Sequence, residues 1–256
     1  MAESIETSAF AVVLLDIEGT TTPVDFVFEV LFPYARARVR DFLAGHPTDA
    51  REEIAGLREE NRKDIERGLN PPVIVDSSRD ALLDSLTAYA HWLIEQDRKS
   101  TPLKSLQGKI WEAGYRAGEL RAQVFEDVPR AFRRWRDEQK EICIYSSGSV
   151  LAQRLLFAHT ESGDLTWMID EYFDTNIGAK MESESYLRIA AKCERNPAGI
   201  IFISDVTVEL DAARAAGFQT LLAVRPGNRP QPNAFLYVAI HSFDELFDQT
   251  EDSNIL

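Results

Sequence analysis

From Phe10 to Leu15 the chain carries six apolar residues without a break, and a carboxylate, Asp16, stands where the run ends. An unbroken apolar run rich in Val and Leu predicts a strand buried on both faces, as inside a parallel sheet. The signature returns at 141–145, 200–203 and 219–224, and more weakly at 237–240. Between the strands the apolar spacing becomes helical. Phe132 and Trp135 predict a helix over 129–138, and Val150, Leu151, Leu155 and Leu156 predict one from 150. Another is expected over 183–195, and one with Ala212, Ala213 and Ala216 is closed by Gly217. Strands alternating with helices predict an α/β fold with a Rossmann-like parallel sheet.

The stretch from 25 to 120 has a different pattern. Phe26, Val30, Leu31, Tyr34, Val39 and Phe42 predict a helix over 25–44. Residues 48–67 are polar, and Glu59–Lys63 and Glu60–Lys63 pairs suit an exposed helix. After Asn70-Pro71-Pro72, Ser77 with Asp80 reads as a capping pair, followed by a stripe of Leu82, Leu86, Tyr89 and Leu93. Thr101-Pro102 reads as an N-cap with Pro at the first helical position, ahead of Leu103, Leu106, Ile110, Trp111 and Tyr115. Four helices with no strand among them exceed one crossover, which needs only about a dozen residues. Residues 24–124 are therefore expected to be an inserted helical domain, with 1–23 and 125–256 forming the α/β core.

Composition narrows the class. Hydrophobic residues make 45% and charged residues 27% of the 256, as in a soluble globular protein. A net charge of −14 argues against nucleic acid as a partner, though not against a small anion met by a local cation. No apolar run approaches the roughly 20 residues of a membrane span, and Met1–Glu6 is acidic with no signal-peptide core. Cys143 and Cys193 are expected to be buried free thiols, too few for a disulfide framework, which favours a reducing, cytoplasmic compartment. His46, His91, His159 and His241 lack zinc-ligand spacing. The acidic end from Asp248 is expected to fray.

Chemistry is expected where the strands end, because ligands of open α/β sheets bind outside the carboxyl ends of their strands. The first strand ends in Asp16-Ile17-Glu18-Gly19-Thr20-Thr21-Thr22, two acids and three hydroxyls around a glycine turn. The strand at 141–145 ends in Ser146-Ser147-Gly148-Ser149 before a helix, an anion site if the hydroxyls face a ligand and an ordinary N-cap otherwise. Lys180 lies in a glycine-containing loop, where a lysine is usually just solvated. The strand at 200–203 ends in Ser204-Asp205, with Glu209 four residues on.

Taken in this order, the residues resemble the motifs of the haloacid dehalogenase-like phosphatases. The first motif there is Asp-x-Asp-Gly-Thr; here Glu18 takes the second acid position, a departure. The resemblance implies a helical cap inserted after the first motif, closing over the site, and Mg²⁺ as cofactor. It makes Asp16 the nucleophile and Glu18 the general acid and base. Asp16, Asp205 and the main-chain carbonyl of Glu18 become the metal ligands. Ser146, Ser147 and Lys180 become the substrate contacts, and Lys180 the catalytic cation. Glu209, in place of the family's last Asp, would hold either a metal-bound water or Lys180.

A closer resemblance is to the enolase-phosphatases of methionine salvage, the acireductone synthases. It rests on Asp16-Ile17-Glu18-Gly19-Thr20-Thr21, Pro33-Tyr34-Ala35, Tyr145–Ser149, Phe173-Asp174-Thr175, Ile177–Lys180, Glu182-Ser183 and Phe202–Asp205. It implies enolisation of 2,3-diketo-5-methylthiopentyl-1-phosphate and then hydrolysis of its phosphate ester. The base for enolisation is not identified by the sequence, and Glu18 is one candidate. The expected partner is this small phosphorylated diketone, with no nucleic acid or membrane and a monomeric state. The rival expectations are a plain phosphatase of another small metabolite and a catalytically silent interaction protein.

Overall fold

The computed structural model describes residues 10–96 and 98–247. Met1–Glu6 and the end from Asp248 lie outside them. The chain divides into two compact units, one holding the chain up to Val27 and from Arg121 onward, the other Phe28–Leu120. The sequence-based limits of 24 and 124 stand a few residues outside the second.

The first unit is built on a six-stranded, all-parallel sheet in the order β3-β2-β1-β4-β5-β6. Its strands are β1 (Val12–Leu15), β2 (Glu141–Tyr145), β3 (Glu171–Phe173), β4 (Ile200–Ser204), β5 (Gln219–Ala223) and β6 (Ala239–Ile240). β1 is fully buried along its length, which is why it carries apolar residues on both faces. One face packs Val12, Leu14, Tyr145 and Phe202 against Tyr186, Ile189, Leu210 and Ala213. Those last four come from α7 (Ser183–Lys192) and α8 (Thr207–Ala215). On α5 (Val128–Asp137), Phe132 and Trp135 are fully buried, with Phe157 of α6 (Val150–Ala158) and Phe243 beside them. Each such buried side chain contributes roughly 1.5–3 kcal/mol.

Register sets the site. Leu15 lies opposite Ile144 on one side and Ile203 on the other. Asp16, one residue on, therefore leaves the sheet level with Tyr145 and Ser204, and its N–H still donates to the Ile203 carbonyl at 3.0 Å. The chain runs outward from β1 to β2 and β3, then returns to β4 on the other side. The β1–β4 boundary is thus the topological switch point, where such sheets bind ligands.

The second unit holds a π-helical turn entered from Phe26 and ending at Leu31, then α1 (Phe32–Gly45), α2 (Arg51–Glu66), α3 (Arg79–Glu95) and α4 (Thr101–Arg116). Its core joins Val39, Leu43, Leu57, Leu86, Tyr89, Leu93, Leu106 and Ile110. Both expected caps move by one residue. Ser78, not Ser77, accepts the Ala81 N–H, and Ser100, not Thr101, accepts that of Leu103. Glu59 pairs with Lys63 as expected, whereas Glu60 turns to Arg98 and Ser100.

Three further expectations need correction. β3 was not foreseen. Val30 is exposed because the π turn rotates it off the apolar face. Cys193 is only half-buried, since it stands at the C-terminal end of α7, 3.9 Å from the buried Cys143 sulfur. No helix among the described residues is long and apolar enough to cross a membrane.

Candidate active site

The turn after β1 is fixed by its own backbone. The Ile17 carbonyl accepts the N–H groups of Thr20, Thr21 and Thr22, and Gly19 N–H returns to the Thr22 carbonyl. Gly19 takes φ +70°, and a Cβ there would lie 2.5 Å from Asp205 Oδ2, so only glycine fits. The carbonyl oxygens of residues 16, 17, 19, 20, 21 and 22 all accept hydrogen bonds. Among the described residues none is seen at the carbonyl of Glu18.

Asp16 is the hub. It is 3% exposed, its Oδ1 lies 2.6 Å from Lys180 Nζ, and its Oδ2 accepts from Ser204 Oγ at 3.1 Å. Lys180 Nζ also lies 2.6 Å from Glu209 Oε2, and Ser204 Oγ lies 3.0 Å from the same oxygen. Of the two roles open to Glu209, contact with Lys180 is the one the geometry displays. Glu18 turns its carboxylate toward Ser146, whose Oγ donates to Oε2 at 3.3 Å. Ser146 is not the helix cap: Ser149 caps α6 by accepting the Ala152 N–H. Ser147 is exposed in the same loop.

Lys180 is held by three hydroxyls on consecutive carbonyls. Tyr145 donates to Gly178 at 2.9 Å, Ser185 to Ala179 at 2.8 Å and Tyr186 to Lys180 at 2.7 Å. Tyr145 and Tyr186 are fully buried, so the loop is anchored in the core rather than solvated.

The electrostatics are those of a crowded anionic pocket. Burial, then the charge of Asp16, pushes Asp205 up to about 7 and Glu209 up to about 7. The same two causes raise Glu18 above the usual carboxylate range. Burial works against the Lys180 charge, but Asp16 and Glu209 outweigh it and keep the ammonium protonated.

Asp16, Glu18, Asp205 and Glu209 thus face, among the described residues, the Lys180 ammonium as their shared cation. The oxygen-only donor set suits a hard divalent ion such as Mg²⁺. Among the described residues no three His, Cys, Asp or Glu side chains form a metal cluster. The expected set needs none, since it combines two carboxylates with the Glu18 carbonyl, the one in that turn without a donor among the described residues. The residues present therefore fit the ion.

The structure brings together Asp16, Glu18, Ser146 and Lys180 through direct contacts, and Asp205 through its approach to Gly19. Sequence reasoning gave no role to Tyr145, Ser185, Tyr186, Arg225 or Asn228. Ser204 reads in the sequence only as the residue before Asp205 at the end of its strand, and nothing there signals its bond to Asp16.

A sheet of this order gathers a buried aspartate, a lysine on that aspartate and a further acid beyond the next strand at the place where such sheets bind ligands. Residues 10–217 match the family model described as haloacid dehalogenase-like hydrolase. The enolase-phosphatase E1 of Synechococcus elongatus is 51% identical over 235 residues, 91% of this chain and 96% of that protein. A probable bifunctional methylthioribulose-1-phosphate dehydratase/enolase-phosphatase E1 of Sorghum bicolor is 42% identical over 240 residues, 91% of this chain and 46% of that longer protein. Among solved structures, the UTR4 protein of Saccharomyces cerevisiae superposes with a TM-score of 0.75 at 33% identity, covering 92% of this chain and 99% of that one. The chain belongs to the haloacid dehalogenase-like hydrolases and, within them, to the enolase-phosphatase E1 family. It is accordingly a phosphoric monoester hydrolase, of a family that generally uses Mg²⁺.

Proposed function

We propose that the protein enolises 2,3-diketo-5-methylthiopentyl-1-phosphate and then hydrolyses its phosphate ester, yielding the acireductone 1,2-dihydroxy-3-keto-5-methylthiopentene of L-methionine salvage. The observation that carries this reading is the buried Asp16 carboxylate, 2.6 Å from Lys180 Nζ at the sheet's switch point. In this reading it acts as a cytoplasmic monomer on a small molecule, without nucleic acid or membrane, and the helical unit is its cap domain.

Asp16 is the nucleophile. Its carboxylate oxygen bonds to phosphorus as the bond to the ester oxygen breaks. Glu18, whose raised pKa keeps a proton available, gives that proton to the leaving oxygen. Water then attacks the phosphorus of the aspartyl-phosphate, Glu18 takes its proton, and Asp16 is restored. Lys180, Ser146 and Ser147 hold the phosphoryl oxygens, where the negative charge of the transition state lies. Asp16, Asp205 and the Glu18 carbonyl would hold Mg²⁺, which when bound would neutralise phosphate charge and polarise the diketone.

Supplying the diketone phosphate with Mg²⁺ and following enol absorbance and inorganic phosphate together tests the proposal. The enol should rise before phosphate, and Asp16→Asn should abolish phosphate release. Phosphate without any enol would mark a plain phosphatase instead. Absence of both products would leave only a non-catalytic role.

A further inference from the structure

The loop after β5 carries Arg225-Pro226-Gly227-Asn228, to which the catalytic reading gives no part. It reaches across to the turn after β1. Arg225 Nε donates to the Thr20 carbonyl at 3.2 Å, and Asn228 Nδ2 donates to the Gly19 carbonyl at 2.9 Å and to that of Ala223 at 3.2 Å. Two carbonyl acceptors fix which end of the Asn228 amide is nitrogen, so its Oδ1 cannot be exchanged into their place. That Oδ1 is buried, and among the described residues it has no hydrogen-bond partner. A buried acceptor left unpaired costs about 1–3 kcal/mol, so the position calls for a donor. Its surroundings say which kind. Asn228 Oδ1 and Asp205 Oδ2 lie 2.8 and 2.5 Å from the same point, the place a Cβ on Gly19 would take. One water can span two oxygens so placed, and Mg²⁺ usually keeps several of its waters.

We propose that Asn228 is a positioning residue of the cation site. Its amide nitrogen pins Gly19, leaving the preceding Glu18 carbonyl facing the ion, and its Oδ1 accepts a hydrogen bond from a water bound to the ion. The inference rests on the reading of Asp205 and the Glu18 carbonyl as ligands. Arg225 braces the same turn one residue later but has no acceptor to offer a water.

The test is Mn²⁺ binding to metal-stripped full-length protein, followed by the loss of the free-ion electron paramagnetic resonance signal, with thermal melting of the same metal-free samples. Partners of metal ligands typically change affinity about 10- to 100-fold when removed. Asn228→Ala should weaken Mn²⁺ binding by at least about tenfold, and Asn228→Asp, which keeps acceptor oxygens there, should recover much of it even if its melting temperature falls. Asn228→Ala binding like wild type would overturn the inference whole, and both variants losing affinity equally would overturn the contact of Oδ1 with a bound water, leaving only the pinning of Gly19. Asp205→Asn separates this inference from the reading beneath it. If Asp205→Asn abolishes binding and Asn228→Ala does not, only the role of Asn228 falls. If Asp205→Asn binds normally, the ligand assignment falls and takes this inference with it.

Discussion

Replacing Tyr186 by phenylalanine removes one oxygen atom from a fully buried ring. The ring's contacts with Tyr145, Phe202 and Phe218, at centroid distances of 5.6, 5.2 and 5.6 Å, are kept. What is lost is the 2.7 Å hydrogen bond to the Lys180 carbonyl. A neutral hydrogen bond contributes a net ~1 kcal/mol, and a carbonyl left partly unsatisfied adds to the loss, so about 1–2 kcal/mol is expected. For a chain of this size that lowers the melting temperature by about 2–8 °C. If between a quarter and all of that energy holds the lysine during the chemical step, kcat falls about 1.5-fold to thirtyfold, at 1.4 kcal/mol per factor of ten. KM should stay within about twofold, because the substituted atom lies behind the lysine backbone and not on the substrate side. Steady-state phosphate release beside a thermal melt checks both numbers, and Ser185→Ala, which frees the Ala179 carbonyl, should move kcat the same way. A Tyr186→Phe protein that melts early but keeps its full kcat would refute the idea that this anchoring serves Lys180.

Gly19→Ala must hold a side chain at φ +70° and push its Cβ against Asp205. The left-handed backbone alone costs about 1–2 kcal/mol, so kcat/KM should drop by more than about tenfold, and near-normal turnover would show that this turn does not shape the site. Arg225→Met strips the buried Asp127 of its ion pair at 2.7 Å, leaving, among the described residues, Ser242 and the Phe243 N–H on that carboxylate. Breaking one side of a buried pair costs about 3–5 kcal/mol, and a urea unfolding curve displaced by less than about 1 kcal/mol would contradict the pairing. In the metal-free protein, Asp205 and Glu209 titrate near 7 when folded but near 4 when unfolded. Between those values the folded state binds more protons, so stability should fall as pH rises from about 4 to 7 in the presence of a chelator. Glu209→Gln should make that fall shallower, and parallel curves for the two proteins would count against buried charge as its cause.

The sequence displayed what depends on local chemistry. The run from Phe10 to Leu15 predicts the central strand because its residues are apolar on both faces, and the acids that follow it stand at the switch point through strand register. β3 was illegible because Glu171–Phe173 is a three-residue edge strand with one exposed end, too short to show a period. The caps slipped because Ser77 and Ser78, like Ser100 and Thr101, are adjacent hydroxyl residues, and backbone angles choose between them. Tyr145, Tyr186 and Asn228 escaped for another reason. Tyr145 and Tyr186 have the apolar appearance of core residues, and Asn228 that of a turn former. Their hydrogen bonds run to carbonyls as far off as Gly19, contacts no local pattern encodes.

Rapid quenching during turnover of the diketone phosphate with Mg²⁺, followed by peptide mass spectrometry, looks directly for the bond on which everything else depends. A phosphoryl group should be found on Asp16, and Asp16→Asn should neither carry it nor release phosphate. Steady phosphate release with Asp16 never modified, or turnover persisting in Asp16→Asn, would contradict the account.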